Sequence, residues 1–295
     1  MKSVSRLSVL AALPGLCLLL ALGCQEKPVP TEEQASTPAP ADEGANPPAP
    51  EGEPEMYSAG HDETWCYDVQ KPCGPEHWGS LNPDWIDCSI GKSQSPIAIV
   101  EALPGENAPA LTLTYKSTPV IVANSGHDVE VRYLPGSTLD IGNGQPFELR
   151  QFHFHNPSEN ATEGERGVME VHLVHARPAA AGKDSLAVIG LIFDPGDENA
   201  FLAQFWDSIP DHKGEKDAGV SVNVADLLPQ DLGYYSFQGS LTTPGCGEDV
   251  HWYVLRQRVT ASPEQVAKLN GAVGENARPL QPANGRTIVT GPAAP

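Results

Sequence analysis

The 295-residue chain is short of positive charge: 18 Lys and Arg stand against 38 Asp and Glu, a net charge of -20. That balance excludes nucleic acid and anionic lipid surfaces as partners recruited by charge. Aromatic residues are scarce at 6%, while Pro (29) and Gly (28) are plentiful. The composition suits turns and short strands more than long helices. No internal repeat is visible. Long apolar runs are scarce too. The run nearest to membrane-spanning length is Leu7 to Gly23, interrupted by Pro14, which is marginal as a span.

That run reads as part of a targeting segment, residues 1–24. Lys2 and Arg6 give it a basic start, and it ends in Ala21-Leu22-Gly23-Cys24. Small residues before a Cys resemble the lipobox of bacterial lipoproteins. The resemblance implies cleavage before Cys24, lipid on Cys24, and attachment to a bacterial membrane by that lipid alone. The alternative is an ordinary secretory signal cut nearby. Gln25 follows the Cys where an Asp would suggest retention at the inner membrane, so the outer membrane is expected, facing periplasm or exterior. Residues 25–58 hold eight Pro and eight Asp or Glu among 34 residues. They have too little apolar surface to offset the entropy of ordering and read as a tether. Its reach is roughly 30 Å as a coil and on the order of 100 Å as extended polyproline. Residues 59–295 contain no second low-complexity break and read as one domain, still acidic with 15 basic against 30 acidic residues.

Cysteine is sparse. Cys17 lies in the signal and Cys24 at its end, leaving Cys66, Cys73, Cys88 and Cys246. An even number in an exported chain predicts disulfides, and four Cys allow three pairings among which the sequence does not choose. Strand-like runs follow at Leu111–Tyr115, Val120–Ala123, Asp128–Tyr133, Phe147–His155, Val168–Ala176 and Ser185–Phe193. The last is continuously apolar and predicts a central strand buried on both faces. Helices are minor. Asn199–Ser208 carries a one-sided apolar stripe, and Ser262-Pro263-Glu264-Gln265 opens a second helix with an N-cap, a first-position Pro and an acid near the positive end. The count favours a mainly β domain built on one large mixed sheet.

Within it, Gln151-Phe152-His153-Phe154-His155 carries the chemistry, answered by Glu170-Val171-His172-Leu173-Val174-His175. Side chains alternate faces along a strand. His153, His155 and Gln151 therefore project together, with Phe152 and Phe154 on the core side. Glu170, His172 and Val174 share a face on the second run, and His175 looks away. If the two strands are neighbours, three imidazoles meet around one ion. Three neutral nitrogens leave a fourth tetrahedral position open, the arrangement of a catalytic zinc.

These motifs resemble those of the α-class carbonic anhydrases, together with Gln94-Ser95-Pro96-Ile97, Asn124-Ser125-Gly126-His127, Pro157-Ser158-Glu159, Ser240-Leu241-Thr242-Thr243-Pro244, Trp252, Arg278-Pro279 and Gln281-Pro282. They run in the family's order through most of residues 65–286. The resemblance implies an α+β domain with a mostly antiparallel sheet and short peripheral helices. It implies reversible hydration of carbon dioxide to bicarbonate and a proton by a zinc-held hydroxide, with Zn2+ on His153, His155 and His172. Gln151 and Glu170 would accept from the far ring N–H groups. Glu159 would orient Thr242, Thr243 would line the bicarbonate position, and His127 would carry protons to bulk buffer. Val174, Val188, Leu241 and Trp252 would wall the carbon dioxide site, and Tyr67 and Asn124 would order cavity water. Cys88 would pair with Cys246, leaving Cys66 with Cys73. Anionic or sulfonamide inhibitors and a homodimer are expected on the same ground.

Two departures from the family pattern stand out. Asn160 replaces a His that supports the active-site floor, which puts local stability in question. Glu130 falls where the family often has an uncharged amide; a carboxylate facing the cavity would slow release of the anionic product or perturb His127. Two rival functions are a catalytically silent binding or adhesion module on the same fold, which typically lacks a zinc His, and a zinc hydrolase acting on esters, for which no separate acid for a leaving group is visible.

Overall fold

A computed structural model describes residues 65–179, 182 and 184–292. The proposed signal, Cys24 and the tether at 25–58 lie outside the described residues. The main sheet has 13 strands. Ten of them form its path: β1 (Leu103–Pro104), β2 (Thr118–Asn124), β3 (Val129–Arg132), β4 (Phe147–His155), β5 (Met169–Pro178), β6 (Asp184–Pro195), β7 (Gly214–Val222), β8 (Tyr234–Ser240), β9 (Glu248–Leu255) and β10 (Val289–Gly291). In space the order is β7-β2-β3-β4-β5-β6-β9-β8-β10-β1. Pairing is antiparallel from β7 through to β6, parallel between β6 and β9, and antiparallel again to β8 and β10. The sheet is thus mixed and mostly antiparallel, as the motif order implied.

The apolar run in β6 sits between β5 and β9 with Ala187, Ile189, Leu191, Ile192 and Phe193 fully buried. A strand covered on both faces needs no polar alternation. The sheet splits the interior in two. On one side lies the main core, which takes Phe152, Phe154, Leu173, Ile189 and the aromatic cluster Phe201, Phe205 and Trp206. On the other lies a smaller apolar cluster that contains Val174, Val188 and Trp252. The period-two alternation of β4 and β5 therefore sends phenyl rings one way and imidazoles the other.

The helix α1 (Pro263–Val273) begins as its sequence predicts, with a capping box between Ser262 and Gln265. The stretch Asn199–Ser208 differs from expectation. Asn199 accepts from the N–H groups of Phe201 and Leu202 and starts a short helix, Ala200–Ala203, but Phe205 leaves helical geometry and a separate turn, Trp206–Ser208, follows. The break lets Phe201, Phe205 and Trp206 all reach the main core, with the Trp206 indole donating to Gln265 O; packing overrides helical propensity here. Both disulfides join the pairs implied above, Cys66–Cys73 and Cys88–Cys246. They mark a protein that folds in an oxidising environment. Among the described residues no helix is long and apolar enough to cross a membrane.

Candidate metal centre

β4 and β5 pair so that His153 lies directly opposite His172, and His155 opposite Glu170. Opposed residues project to one face of a sheet, so the three rings converge. One candidate ligand atom from each lies within 4.8 Å of the others, and the ring centroids are 4.5–5.2 Å apart. His155 and His172 are buried. Burial, then the neighbouring His155 and His172 rings, hold His153 well below the usual imidazole range; burial also lowers His155, against the pull of the Asn276 carbonyl. Neutral rings keep the lone pairs that a cation needs.

The far side of each ring is occupied. His153 Nδ1 is 2.8 Å from Gln151 Oε1, and His155 Nδ1 is 2.9 Å from Asn276 O. His172 Nε2 is 3.1 Å from Glu170 Oε1. The first two contacts fix the tautomers of His153 and His155 and leave their Nε2 atoms free, and the His172 ring joins them with Glu170 beside it. His155 Nε2 is buried there without a hydrogen-bond partner, as is Glu159 Oε2, 3.5 Å away. Leaving a buried polar nitrogen unsatisfied is costly. An orphaned ring nitrogen facing two more and a carboxylate fits a divalent cation with a nitrogen donor set.

Asn160, the first departure noted in the sequence, lies against Glu170. Its side chain is fully buried, and its backbone N–H and its amide donate to the two Glu170 oxygens at 2.7 and 2.8 Å. The shorter residue braces the floor of the site. Burial alone would raise the Glu170 pKa, but His172 and the Asn160 hydrogen bonds outweigh it and hold the carboxyl below its ordinary value. Gly190 makes room for this brace, since a Cβ there would come 2.7 Å from Glu170 Oε1.

On the opposite wall, Glu159 is fully buried and accepts from the Arg278 N–H at 2.8 Å. Burial pushes its pKa up to about 7, with His172, the Arg278 N–H and the Thr242 hydroxyl pulling the other way. Thr242 is buried and Thr243 half-buried on a turn tied by Leu241 N–H to Gly247 O and Cys246 N–H to Thr243 O. The Cys88–Cys246 disulfide anchors that turn. Ser95 and Ser240 fasten its start by reciprocal backbone-to-hydroxyl bonds at 2.9 and 3.1 Å. Val174, Val188 and Trp252 pack in one cluster with Leu241 against it, and the Trp252 ring lies edge-on to His172 at 4.8 Å.

His127 is half-buried and stacks on Trp65 at 3.9 Å. The Tyr67 hydroxyl is buried without a partner, and burial, then Glu159 and Asp128, hold its proton well above the ordinary phenol range. Asn124 is buried beside the turn that carries His127. Its amide donates to Pro210 O and Ala272 O and its oxygen accepts from Gly126 N–H, so it shapes the turn that carries His127. Glu130 lies opposite His153 in the register of β3 and β4 and so faces the cavity. Burial, then Asp128, raises its pKa to about 7 in spite of Arg132, 3.4 Å away.

Two contributors escaped the sequence reading. Asn276 bonds His155 through its carbonyl and also donates to His127 O and Phe154 O, both at 2.9 Å. Arg278 supports Glu159 through a backbone N–H. Neither group is legible from residue identity.

Comparison with known proteins agrees with this geometry. The pattern of the eukaryotic-type carbonic anhydrases matches residues 73–291. The chain belongs to the eukaryotic-type carbonic anhydrase family. The carbonic anhydrase of Pectobacterium carotovorum is 43% identical over 217 residues, covering 73% of this chain and 86% of that protein. The solved α-carbonic anhydrase of Photobacterium profundum is 41% identical with a TM-score of 0.70, covering 76% of this chain and 99% of that one. That of Thermovibrio ammonificans, solved with the inhibitor sulfanilamide, is 37% identical with a TM-score of 0.70, covering 76% and 98%. Carbonic anhydrases of this class depend on zinc, and the three-His group of this chain suits that metal.

Two outcomes follow from the supports around the rings. Asn160→Ala removes the amide donor from Glu170 Oε1 and leaves the backbone N–H on Oε2; zinc affinity, measured by competition with a chelator, is expected to fall roughly 10- to 100-fold while the circular dichroism spectrum stays native. Unchanged affinity would show that Asn160 does not act through Glu170. Glu130 is raised in the fold, so the native state holds its proton longer than the unfolded chain does. Its contribution is greatest below pH 4.5, declines as pH rises towards about 7, and is flat above. Glu130→Gln should therefore raise stability at pH 8, by at most about 3 kcal/mol, and lose that advantage near pH 4.5. A gap that ignores pH in urea titrations would contradict this origin.

Proposed function

We propose that this chain hydrates carbon dioxide reversibly to bicarbonate and a proton, with zinc held by His153, His155 and His172. The observation that carries the proposal is the convergence of three imidazoles, whose candidate ligand atoms lie within 4.8 Å of one another, with His155 Nε2 buried and unpartnered among them. Zinc in such a set lowers the pKa of water to about 7, an effect for which carbonic anhydrase is itself the standard case.

The chain's own residues supply the rest. Gln151, Glu170 and the Asn276 carbonyl orient the rings. Val174, Val188, Leu241 and Trp252 offer carbon dioxide, a nonpolar molecule, an apolar wall. Glu159, pinned by the Arg278 N–H, accepts from the Thr242 hydroxyl and directs its oxygen towards the reacting centre. A divalent cation nearby favours the ionised form of Glu159. Thr243 lines the space for the product anion, and its N–H serves a negative oxygen. Tyr67, whose phenol stays protonated, donates to cavity water. His127 takes the proton to bulk buffer, since an imidazole changes charge near neutrality. Sulfonamides and small anions inhibit by occupying the same place, in keeping with the sulfanilamide complex of the Thermovibrio ammonificans relative.

The same reading makes residues 1–24 a lipoprotein signal, Cys24 the lipidated residue, 25–58 a tether and 59–295 the catalytic domain. It places the enzyme on the outer membrane of a bacterium, facing periplasm or exterior, as a homodimer. The lipobox-like Ala21–Cys24 and the two disulfides support export; the family resemblance supports the dimer.

His153→Ala and His172→Ala are expected to abolish stoichiometric zinc and carbon dioxide hydration together, with the circular dichroism spectrum retained. Metal analysis and stopped-flow hydration on the same samples check this. A variant that hydrates carbon dioxide at the native rate without zinc would overturn the proposal.

A further inference from the structure

The Cys66–Cys73 bridge lies at the surface, beside a turn closed by Lys71 and Asp68. Nothing in the hydration chemistry uses its sulfurs. It is nonetheless wired to the proposed proton carrier. Cys66 N–H donates to Cys73 O at 2.7 Å, and the Trp78 indole N–H lies 3.1 Å from both Cys66 O and Cys73 O. The two half-cystines are thus tied by a covalent bond, a backbone bond and one shared indole proton. Trp65 immediately precedes this knot. Its ring is 3% exposed, stands edge-on to Tyr67 and Trp78 at 5.2 and 5.3 Å, and lies flat on His127 at 3.9 Å with 17° between the planes.

The backbone around His127 is fixed by other means. Its N–H donates to Ser125 Oγ and its carbonyl accepts from the Asn276 amide. What Trp65 adds is a surface for the imidazole plane. Residues 65–77 contain no strand or helix, so no ladder holds Trp65 in place; its ring packs with Trp78 and Cys246, and Trp78 is bonded to the knot.

We propose that the Cys66–Cys73 bridge is a positioning element for His127: it holds Trp65 as a flat shelf that sets the orientation of the proton-carrying ring. The functional half of this inference rests on the shuttle role of His127. The geometric half stands apart from it, and the two are tested separately.

The experiment compares the native zinc enzyme with Cys66→Ser/Cys73→Ser, Trp65→Leu and His127→Ala. The Cys88–Cys246 bridge stays in all of them. Magnetic resonance of histidine-labelled protein reads the shelf directly, because a ring stacked on indole shows upfield-shifted protons. The double Ser variant and Trp65→Leu should both lose that shift at His127. In weak buffer their kcat should fall roughly three- to tenfold, part of the 10²–10⁴ that a positioned proton carrier supplies. Their kcat/KM, which does not include proton export, should stay native, and added imidazole should restore kcat. A shift retained in the double Ser variant overturns the positioning role of the bridge. Native weak-buffer kcat in Trp65→Leu, or kcat and kcat/KM falling together, overturns the shelf as an aid to proton transfer. His127→Ala with native weak-buffer kcat sinks the shuttle reading itself, while the resonance shift still decides whether the bridge places the ring.

Discussion

The register between β4 and β5 is the constraint on which the rest depends. A slip of one residue would turn every side chain of one strand to the opposite face. A slip of β5 would send His172 into the main core; a slip of β4 would push Phe152 and Phe154, both fully buried, into the polar cavity. The apolar packing of the phenyl rings and the convergence of the imidazoles are therefore one event seen from two sides of the sheet. β6 reinforces it. Its own register sets Gly190 opposite His172 and Val188 opposite Val174, which clears space for Glu170 and builds the apolar wall with the same strand.

Around that register the molecule adds supports from far along the chain. Glu159 and Glu170 bring two carboxyls to a buried site, a costly arrangement unless hydrogen bonds and positive charge meet them. Asn160 meets Glu170, and the segment 276–278 meets both Glu159 and His155. The Cys88–Cys246 disulfide and the Ser95–Ser240 pair hold the Thr242 turn from the other side. His155 Nε2 is thus free for a metal because its Nδ1 is engaged by the Asn276 carbonyl. A donor set arranged in advance spares the ion the cost of organising it.

Much of this was legible in the sequence. The alternation in Gln151–His155 and Glu170–His175 gave the faces of both strands, and the unbroken apolar run at 186–193 gave the central strand. The motif series gave the family, and with it both cysteine pairings. Other features were not legible, for physical reasons. The partner of His155 is a main-chain carbonyl, which every residue possesses, and it arrives from 121 positions away. Asn160 put local stability in question because comparison by residue type registers a missing ring and does not register the bonds that its amide and its backbone N–H make to Glu170. The bonds of the Asn124 amide to Pro210 O and Ala272 O join segments 86 and 148 positions away, which no local pattern shows. The orientation of Glu130 needed the pairing of β3 with β4, which alternation within one strand does not supply.

The central claim is that three imidazoles from two adjacent strands hold one zinc ion and leave one position open. X-ray absorption at the zinc edge of the loaded protein tests it most directly. The account predicts three imidazole nitrogens and one further oxygen at about 2.0–2.1 Å, with no sulfur. A zinc–sulfur distance of about 2.3 Å, or fewer than three imidazoles at the metal, would contradict it.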